Sequence, residues 1–193
     1  MNKINIPDYC RRIMAVLNKN GFEAFLVGGC VRDNLMGIIP HDYDITTNAT
    51  PDEMLKIFGD FKVIETGLKH GTITVVIDEN NVEITTYRID GEYDDNRHPK
   101  EVSFTRNLKD DLKRRDFTVN AMAYNDEQGL VDLFGGKDDL DNKVIRCVGE
   151  PDKRFKEDGL RILRAIRFAS VLKFSIAEET AKSIHKNKEL LKN

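Results

Sequence analysis

Two carboxylates, Asp42 and Asp44, stand one residue apart in "HDYDIT", shortly after the adjacent glycines and arginine of "FLVGGCVRD" (Gly28, Gly29, Arg32). In extended chain, residues i and i+2 point to the same face. Asp42 and Asp44 would then project side by side, with Tyr43 turned into the opposite layer. Two like charges held that close repel, and a bound divalent cation relieves the repulsion. Hard oxygen ligands suit Mg²⁺, which keeps several waters and completes its shell with substrate phosphates. The same spacing also arises where surface aspartates flank a turn. Gly28 and Gly29 would let backbone N–H groups approach a phosphate closely, and the guanidinium fork of Arg32 suits phosphate oxygens. A strand-to-helix turn that needs glycine would look the same. No Lys-Ser or Lys-Thr pair follows, which excludes the Walker-type phosphate loop.

The surrounding pattern supplies elements to hold these groups. Residues 7–19 read as an amphipathic helix stopped by Gly21, and "FEAFLVGG" as a short strand running into the glycines. "CVRDNLMG" reads as a helical turn closed by Gly37, and "DYDIT" as a strand. "TPDEMLKIF" opens with Thr50 as N-cap, Pro51 at the first helical position and Glu53 completing a capping box. "KVIET" is a strand, and "GTITVVIDENNVEITTYR" a hairpin turning at Asp78–Asn81. A polar connector follows from Asp90 to Asn107, long enough to suggest a functional or disordered loop. "LKDDLKRRDFTVNAMAY" reads as helical. "GLVDLFGGKDDLDNKVIRCVG" reads as strand, turn, short helix and strand, and everything after Pro151 as helix. The expectation is α/β (α+β) over residues 1–149 and helix over 150–193, the last helix lacking a clear C-cap.

Composition narrows the class. The chain has 193 residues, long enough to bury a real core, with the apolar and charged fractions of a soluble globular protein. No apolar run approaches the ~20 residues that span a bilayer, and the N-terminal residues show no export signal, so a cytoplasmic protein without a membrane partner is expected. Cys10, Cys30 and Cys147 form no C-x-x-C pair, which argues for buried, reduced thiols rather than a zinc ribbon or disulfide framework. The formal charge of -3 does not mark a nucleic-acid binder. The segments Arg106–Arg115 and Lys153–Lys173 are nonetheless net basic, which two solvated helix faces would explain.

Strand, Gly-Gly, arginine and D-x-D strand together resemble the nucleotidyltransferase superfamily of DNA polymerase β type. "LVGGCVRD", "HDYDIT", "RRDFTVNAMAY", "VDLFGG" and "EDGLRILRAIRF" occur in that order. Jointly they resemble the head and neck of class II tRNA nucleotidyltransferases (CCA-adding enzymes) and the related bacterial poly(A) polymerases. The resemblance covers about Phe25 to Ser170. It implies a polymerase-β-like head over 1–149, with a mixed or antiparallel sheet flanked by helices. An all-α neck would begin at 150, its body and tail continuation absent.

It also implies an activity: addition of CMP and AMP from CTP and ATP to the 3′ end of tRNA, without a nucleic-acid template. Asp42 and Asp44 would hold two Mg²⁺ ions, and Gly29 and Arg32 would contact the nucleotide phosphates. Arg115 resembles another nucleotide-binding position. Its neighbours Arg114 and Asp116 would support it, Asp116 by orienting an arginine or the ribose. Many members use a third carboxylate on a neighbouring strand, for which Glu83 is the candidate. A flexible loop associated with full C-C-A addition corresponds to "GEYDDNRHP".

The helix "EDGLRILRAIRF" adds a donor–acceptor argument. With Asp158 at 0° and 100° per residue, Arg161, Arg164 and Arg167 share one arc, and Ile162, Leu163, Ile166 and Ala169 the other. Cytosine and adenine present an amino donor beside a ring-nitrogen acceptor; guanine and uracil present the reverse. A carboxylate only accepts and a guanidinium only donates. Asp158 and Arg161 would therefore admit C or A and refuse G or U, with Arg164 and Arg167 helping to hold base, phosphate or RNA. A poly(A) polymerase shares the head but not the stopping rule, and an A-adding enzyme is a further alternative. A more distant alternative is an RNA-binding module without catalysis.

Overall fold

The computed structural model describes residues 4–91 and 102–192. In chain order the elements are α1 (Asp8–Lys19), β1 (Ala24–Val27), α2 (Gly29–Leu35), β2 (Asp44–Thr47), α3 (Pro51–Ile57), β3 (Lys62–Ile64), β4 (Thr72–Ile77), β5 (Asn80–Thr86), β6 (Arg88–Asp90) and β7 (Val102–Phe104). They continue with α4 (Leu108–Lys113), β8 (Met122–Asn125), β9 (Gly129–Asp132), α5 (Gly136–Asp141), β10 (Val144–Ile145), α6 (Pro151–Glu157), α7 (Leu160–Leu172), β11 (Ser175–Ile176) and α8 (Glu178–Asn187).

Seven strands form one mixed sheet in the order β3-β4-β5-β2-β1-β8-β9. β1 pairs antiparallel with both β2 and β8, while β2 and β5 run parallel. The mixed sheet flanked by helices is the head architecture that the motifs implied. β1 is buried at every position, as a strand deep in a sheet covered on both faces must be. β4 alternates buried and half-buried residues, the period-2 signature of a strand with one face on the core.

The chain divides into two compact units: 1–89 with 104–111 and 123–131, and 90–103 with 112–122 and 132–193. The break expected at 149/150 lies inside the second. In the first unit, Ile13 and Leu17 of α1, Phe25 and Leu26 of β1, and Ile45, Ile73 and Ile84 are fully buried core residues. α3 begins with the capping box foreseen: Thr50 accepts the Glu53 N–H, and the Glu53 carboxylate accepts the Thr50 N–H. In the second unit, α5 follows the "FGG" glycines for a steric reason. A Cβ on Gly136 would stand 2.3 Å from the Thr118 carbonyl oxygen.

Three expectations need correction. The helix read over "LKDDLKRRDFTVNAMAY" stops at Lys113; a non-helical strap leads to a single turn at Thr118–Asn120 and then β8. After Leu112 its apolar residues recur at Phe117, Val119, Ala121 and Ala123, a period of two that does not build one helical face, and Asp116 diverts its carboxylate to the Phe117 N–H. After Pro151 the chain is not all helix, because β11 pairs parallel with β10. "EDGLRILRAIRF" is broken at Asp158, which is extended (φ -143, ψ 107), so α6 and α7 are separate helices. "GEYDDNRHP" lies, apart from Gly91, outside the described residues.

Candidate active site

In the first unit, pairing brings the candidate phosphate and metal groups to one end of the sheet. β1 runs into Gly28, and β2, antiparallel to it, sets out from Asp44, with Leu26 opposite Ile45. β5, parallel to β2, places Glu83 directly beside Asp44. Gly28 holds φ 79 and ψ -131, a backbone state essentially reserved for glycine, and that turn sends the chain into α2. α2 carries Arg32 in its first turns. The Arg32 guanidinium folds back over Gly29, with Nη2 3.6 Å from where a Gly29 Cβ would lie, and pairs with Asp33 at 2.8 Å.

The D-x-D segment lies only in part in the sheet. Asp42 is exposed, Tyr43 buried and Asp44 half-buried, an alternation that sends the Tyr43 ring to the opposite layer, edge-on to Tyr9 with centroids 6.3 Å apart. The ladder begins at Asp44, so Asp42 precedes the strand on which the sequence reading put it. The reason is the turn at Gly28. The next antiparallel positions fall opposite Gly28 and Gly29, where β1 has already ended. Cys30, the second residue of α2, donates its thiol to the Val27 carbonyl at 3.4 Å and to the Asp44 carbonyl at 3.9 Å, tying the glycine turn to the carboxylate strand. Burial pushes the Cys30 thiol up to about 11, so it remains a neutral donor. This thiol contact was not foreseen; only its burial was.

The donor set of this sheet end fits magnesium. Its acceptors are carboxylate oxygens. Among the described residues no three His, Cys, Asp or Glu side chains gather so as to hold a metal by themselves. A pair of carboxylates whose coordination shell was completed by water and phosphate would suit the usual manner of Mg²⁺.

The second unit gathers the other candidates around the strap Lys113–Asp116. Asp116 is buried; Oδ1 accepts the Phe117 N–H at 2.8 Å and Asn120 Nδ2 at 3.4 Å, and Oδ2 accepts Arg164 Nε at 2.7 Å. Asp116 thus pairs with an arginine, one of the two partners considered from the sequence. Arg164 also stacks on Phe168, 5.2 Å from the ring centroid. Arg114 approaches Asp90 at 3.9 Å, Arg115 is half-buried, and Arg167 is exposed. Asp158 uses Oδ1 to accept the Leu160 N–H at 2.9 Å, capping α7. Arg161 is buried, donating to Glu157, to the Arg154 carbonyl and to the Arg114 carbonyl.

The two arcs drawn from the sequence do not coincide with the exposed and buried faces of α7. Arg161, Ile162 and Ala165 are the buried residues of α7, whereas Leu163 and Ile166 are 50% and 49% exposed. A guanidinium can occupy the buried face because carbonyl and carboxylate acceptors await it there. Sequence reasoning also missed Arg154 and Glu157, which partner Arg161. Their i, i+3 and i, i+4 spacing was the available signal. A cleft of about 850 Å³ in this unit is lined by Lys153, Lys156 and Glu157, among others, but not by Asp158, Arg164 or Arg167.

Comparison with known proteins gives a consistent picture. Residues 24–146 match the family model described as the poly A polymerase head domain. The chain is 50% identical over 190 residues to a CCA-adding enzyme of Lactobacillus helveticus, covering 97% of this chain and 47% of that protein. Among solved structures it is similar to the Bacillus stearothermophilus CCA-adding enzyme in complex with CTP (TM-score 0.86, 40% identity, 96% of this chain and 45% of that one). It is also similar to the Thermotoga maritima CCA-adding enzyme complexed with tRNA (TM-score 0.77, 29% identity, 97% and 43%). The chain spans about half the length of the relatives it matches.

Proposed function

The chain belongs to the poly A polymerase head-domain family, and from that premise we propose that it is the catalytic part of an RNA nucleotidyltransferase that adds CMP and AMP, from CTP and ATP, to the 3′ end of tRNA. The observation that carries this reading is the convergence of Gly28, Gly29, Arg32 and Asp44 at one end of the sheet. Its resemblance to an enzyme crystallised with CTP supports the substrate class.

Asp42 and Asp44 would hold Mg²⁺. Held there, it would supply Lewis acidity toward the RNA 3′-hydroxyl and positive charge toward the triphosphate and departing pyrophosphate. The protein's own groups do the rest. Gly28 keeps the turn open so that backbone can approach phosphate, and Arg32 supplies a cation beside it. Glu83 adds negative charge next to Asp44 and so raises cation affinity at that edge. Asp158 caps α7 with one oxygen and has the other to accept an exocyclic amino group of cytosine or adenine. Arg161 reaches the matching ring nitrogen by exchanging one of its protein acceptors. Arg115, Arg164 and Arg167 contribute positive charge towards nucleotide or RNA.

Among the described residues no helix is long and apolar enough to cross a membrane. Work on tRNA would place the protein in the cytoplasm.

The test is the tail made on a tRNA lacking its 3′ end, read by sequencing, together with thermal stabilisation by Mg²⁺ and each nucleotide. A C-C-A product and stabilisation by CTP and ATP are expected. The family's own description favours one second reading, a poly(A) polymerase, which long A runs would establish. Indifference to all four nucleotides would refute both and leave an RNA-binding module.

A further inference from the structure

Arg154 was expected on a solvated helix face, yet Arg154 and Arg161 are each only 8% exposed. A buried guanidinium is costly unless its donors are met, and the terminal nitrogens of these two are met in the same way. Arg154 gives Nη2 to Glu157 Oε1 at 2.8 Å and Nη1 to the Lys113 carbonyl at 3.3 Å. Arg161 gives Nη1 to Glu157 Oε2 at 2.7 Å and Nη2 to the Arg114 carbonyl at 3.2 Å. Arg164 then takes Asp116. Residues 113, 114 and 116 of the strap are thus each gripped by an arginine of α6 or α7, and Arg115 is the residue between the grips. Glu157 divides its two oxygens between Arg154 and Arg161.

We infer that Arg154 is a positioning residue for nucleotide selection. It holds the strap that presents Arg115, and it shares the Glu157 carboxylate so that Arg161 is not bound too tightly to exchange onto a base. Without Arg154 the full charge of Glu157 falls on Arg161, which stays withdrawn, and the Lys113 carbonyl loses its donor. Discrimination between C and U, or between A and G, then declines more than affinity for the triphosphate they have in common. This rests on the reading of Asp158 and Arg161 as the base-facing pair.

The test measures dissociation constants for CTP and UTP with Mg²⁺ in the parent chain, in Arg154→Lys and in Arg154→Gln. Lys156→Gln, an exposed change on the same helix, is the control. Arg154→Lys keeps the charge and Arg154→Gln keeps a donor for the Lys113 carbonyl. The expected result is a UTP-to-CTP ratio reduced roughly tenfold in Arg154→Gln, which leaves Glu157 to Arg161 alone, the order of one charge-assisted hydrogen bond, and reduced less in Arg154→Lys, which still shares Glu157, with UTP affinity held and the control unchanged. A purely structural Arg154 would weaken both nucleotides by one factor, and an unchanged ratio overturns the inference. Amide exchange in the parent needs no variant. CTP should slow exchange at Arg115 and Asp116 more than UTP does, and equal protection counts against the inference. A parent that binds CTP and UTP alike would instead overturn the base-facing reading itself.

Discussion

Asp44 and Glu83 are register partners on the adjacent parallel strands β2 and β5. Side chains at paired positions share a face, so two carboxylates stand side by side, and like charges so placed are destabilising by a few tenths to about 1 kcal/mol. A divalent cation reverses that sign. Glu83→Gln is therefore expected to raise the unfolding midpoint in metal-free buffer and to shrink the gain on adding Mg²⁺. Asp44→Asn should abolish most of that gain and slow nucleotide transfer about a thousandfold, as loss of a group that fixes transition-state charge does. A Glu83→Gln chain less stable than its parent without metal would show that Glu83 serves the strand and not the site.

Gly28 makes a backbone prediction. With φ 79 and ψ -131 it occupies a state that an L side chain adopts only under strain. Gly28→Ala should cost about 1–3 kcal/mol, seen as a lower urea midpoint with an unchanged slope. Gly37, also at positive φ but with open space around it, is a milder position, because φ 73 is the ordinary left-handed well.

The contrast between the two units shows what a sequence makes legible. In the first, local rules and tertiary structure agree. The capping box at Thr50–Glu53, the hairpin turning at Asp78 and Glu79, and the strand running into Gly28 are each specified by residues within a few positions of one another. In the second, the decisive interactions join residues far apart in the chain. The Lys113 and Arg114 carbonyls look like any backbone carbonyls until Arg154 and Arg161 arrive from about forty positions later. Periodicity places arginines on the wet face because it weighs side chains without knowing which acceptors a distant segment will offer. The D-x-D strand was misplaced by a similar ignorance: where β1 ends decides where β2 can start pairing.

The three thiols give a chemical test of the core. Cys10, Cys30 and Cys147 are free and buried. Burial pushes Cys10 to about 12, Cys30 to about 11 and Cys147 to about 12, from an ordinary 9.0. None should react with a disulfide reagent at mildly alkaline pH until the chain unfolds, and all three should then react. The raised values also fix a sign. Below 9.0 both states keep the thiols protonated and stability is unaffected. As pH climbs from there towards 11–12 the unfolded chain releases protons that the folded chain retains, and stability falls. Rapid labelling of the native protein would contradict this.

Glu53 runs in the opposite direction. The Arg106 guanidinium at 2.9 Å and the Thr50 N–H at 2.7 Å hold its carboxyl down at about 2, from an ordinary 4.5. A depressed folded value means that the contribution is present above 4.5 and is lost as pH falls towards 2. Arg106 is more than half exposed, so solvent screens the pair and its share of the stability is small. Glu53→Gln keeps an amide oxygen for the Thr50 N–H and loses only the charge, so it should cost a few tenths to about 1 kcal/mol near neutral pH. The parent and variant unfolding midpoints should converge as the solution is acidified through that window. Arg106 also lies over the Phe22 ring, 5.7 Å from its centroid, and bonds the Asn48 carbonyl. Arg106→Ala should therefore cost more than Glu53→Gln, and part of its cost should persist at low pH, where a variant acting through Glu53 alone would match the parent.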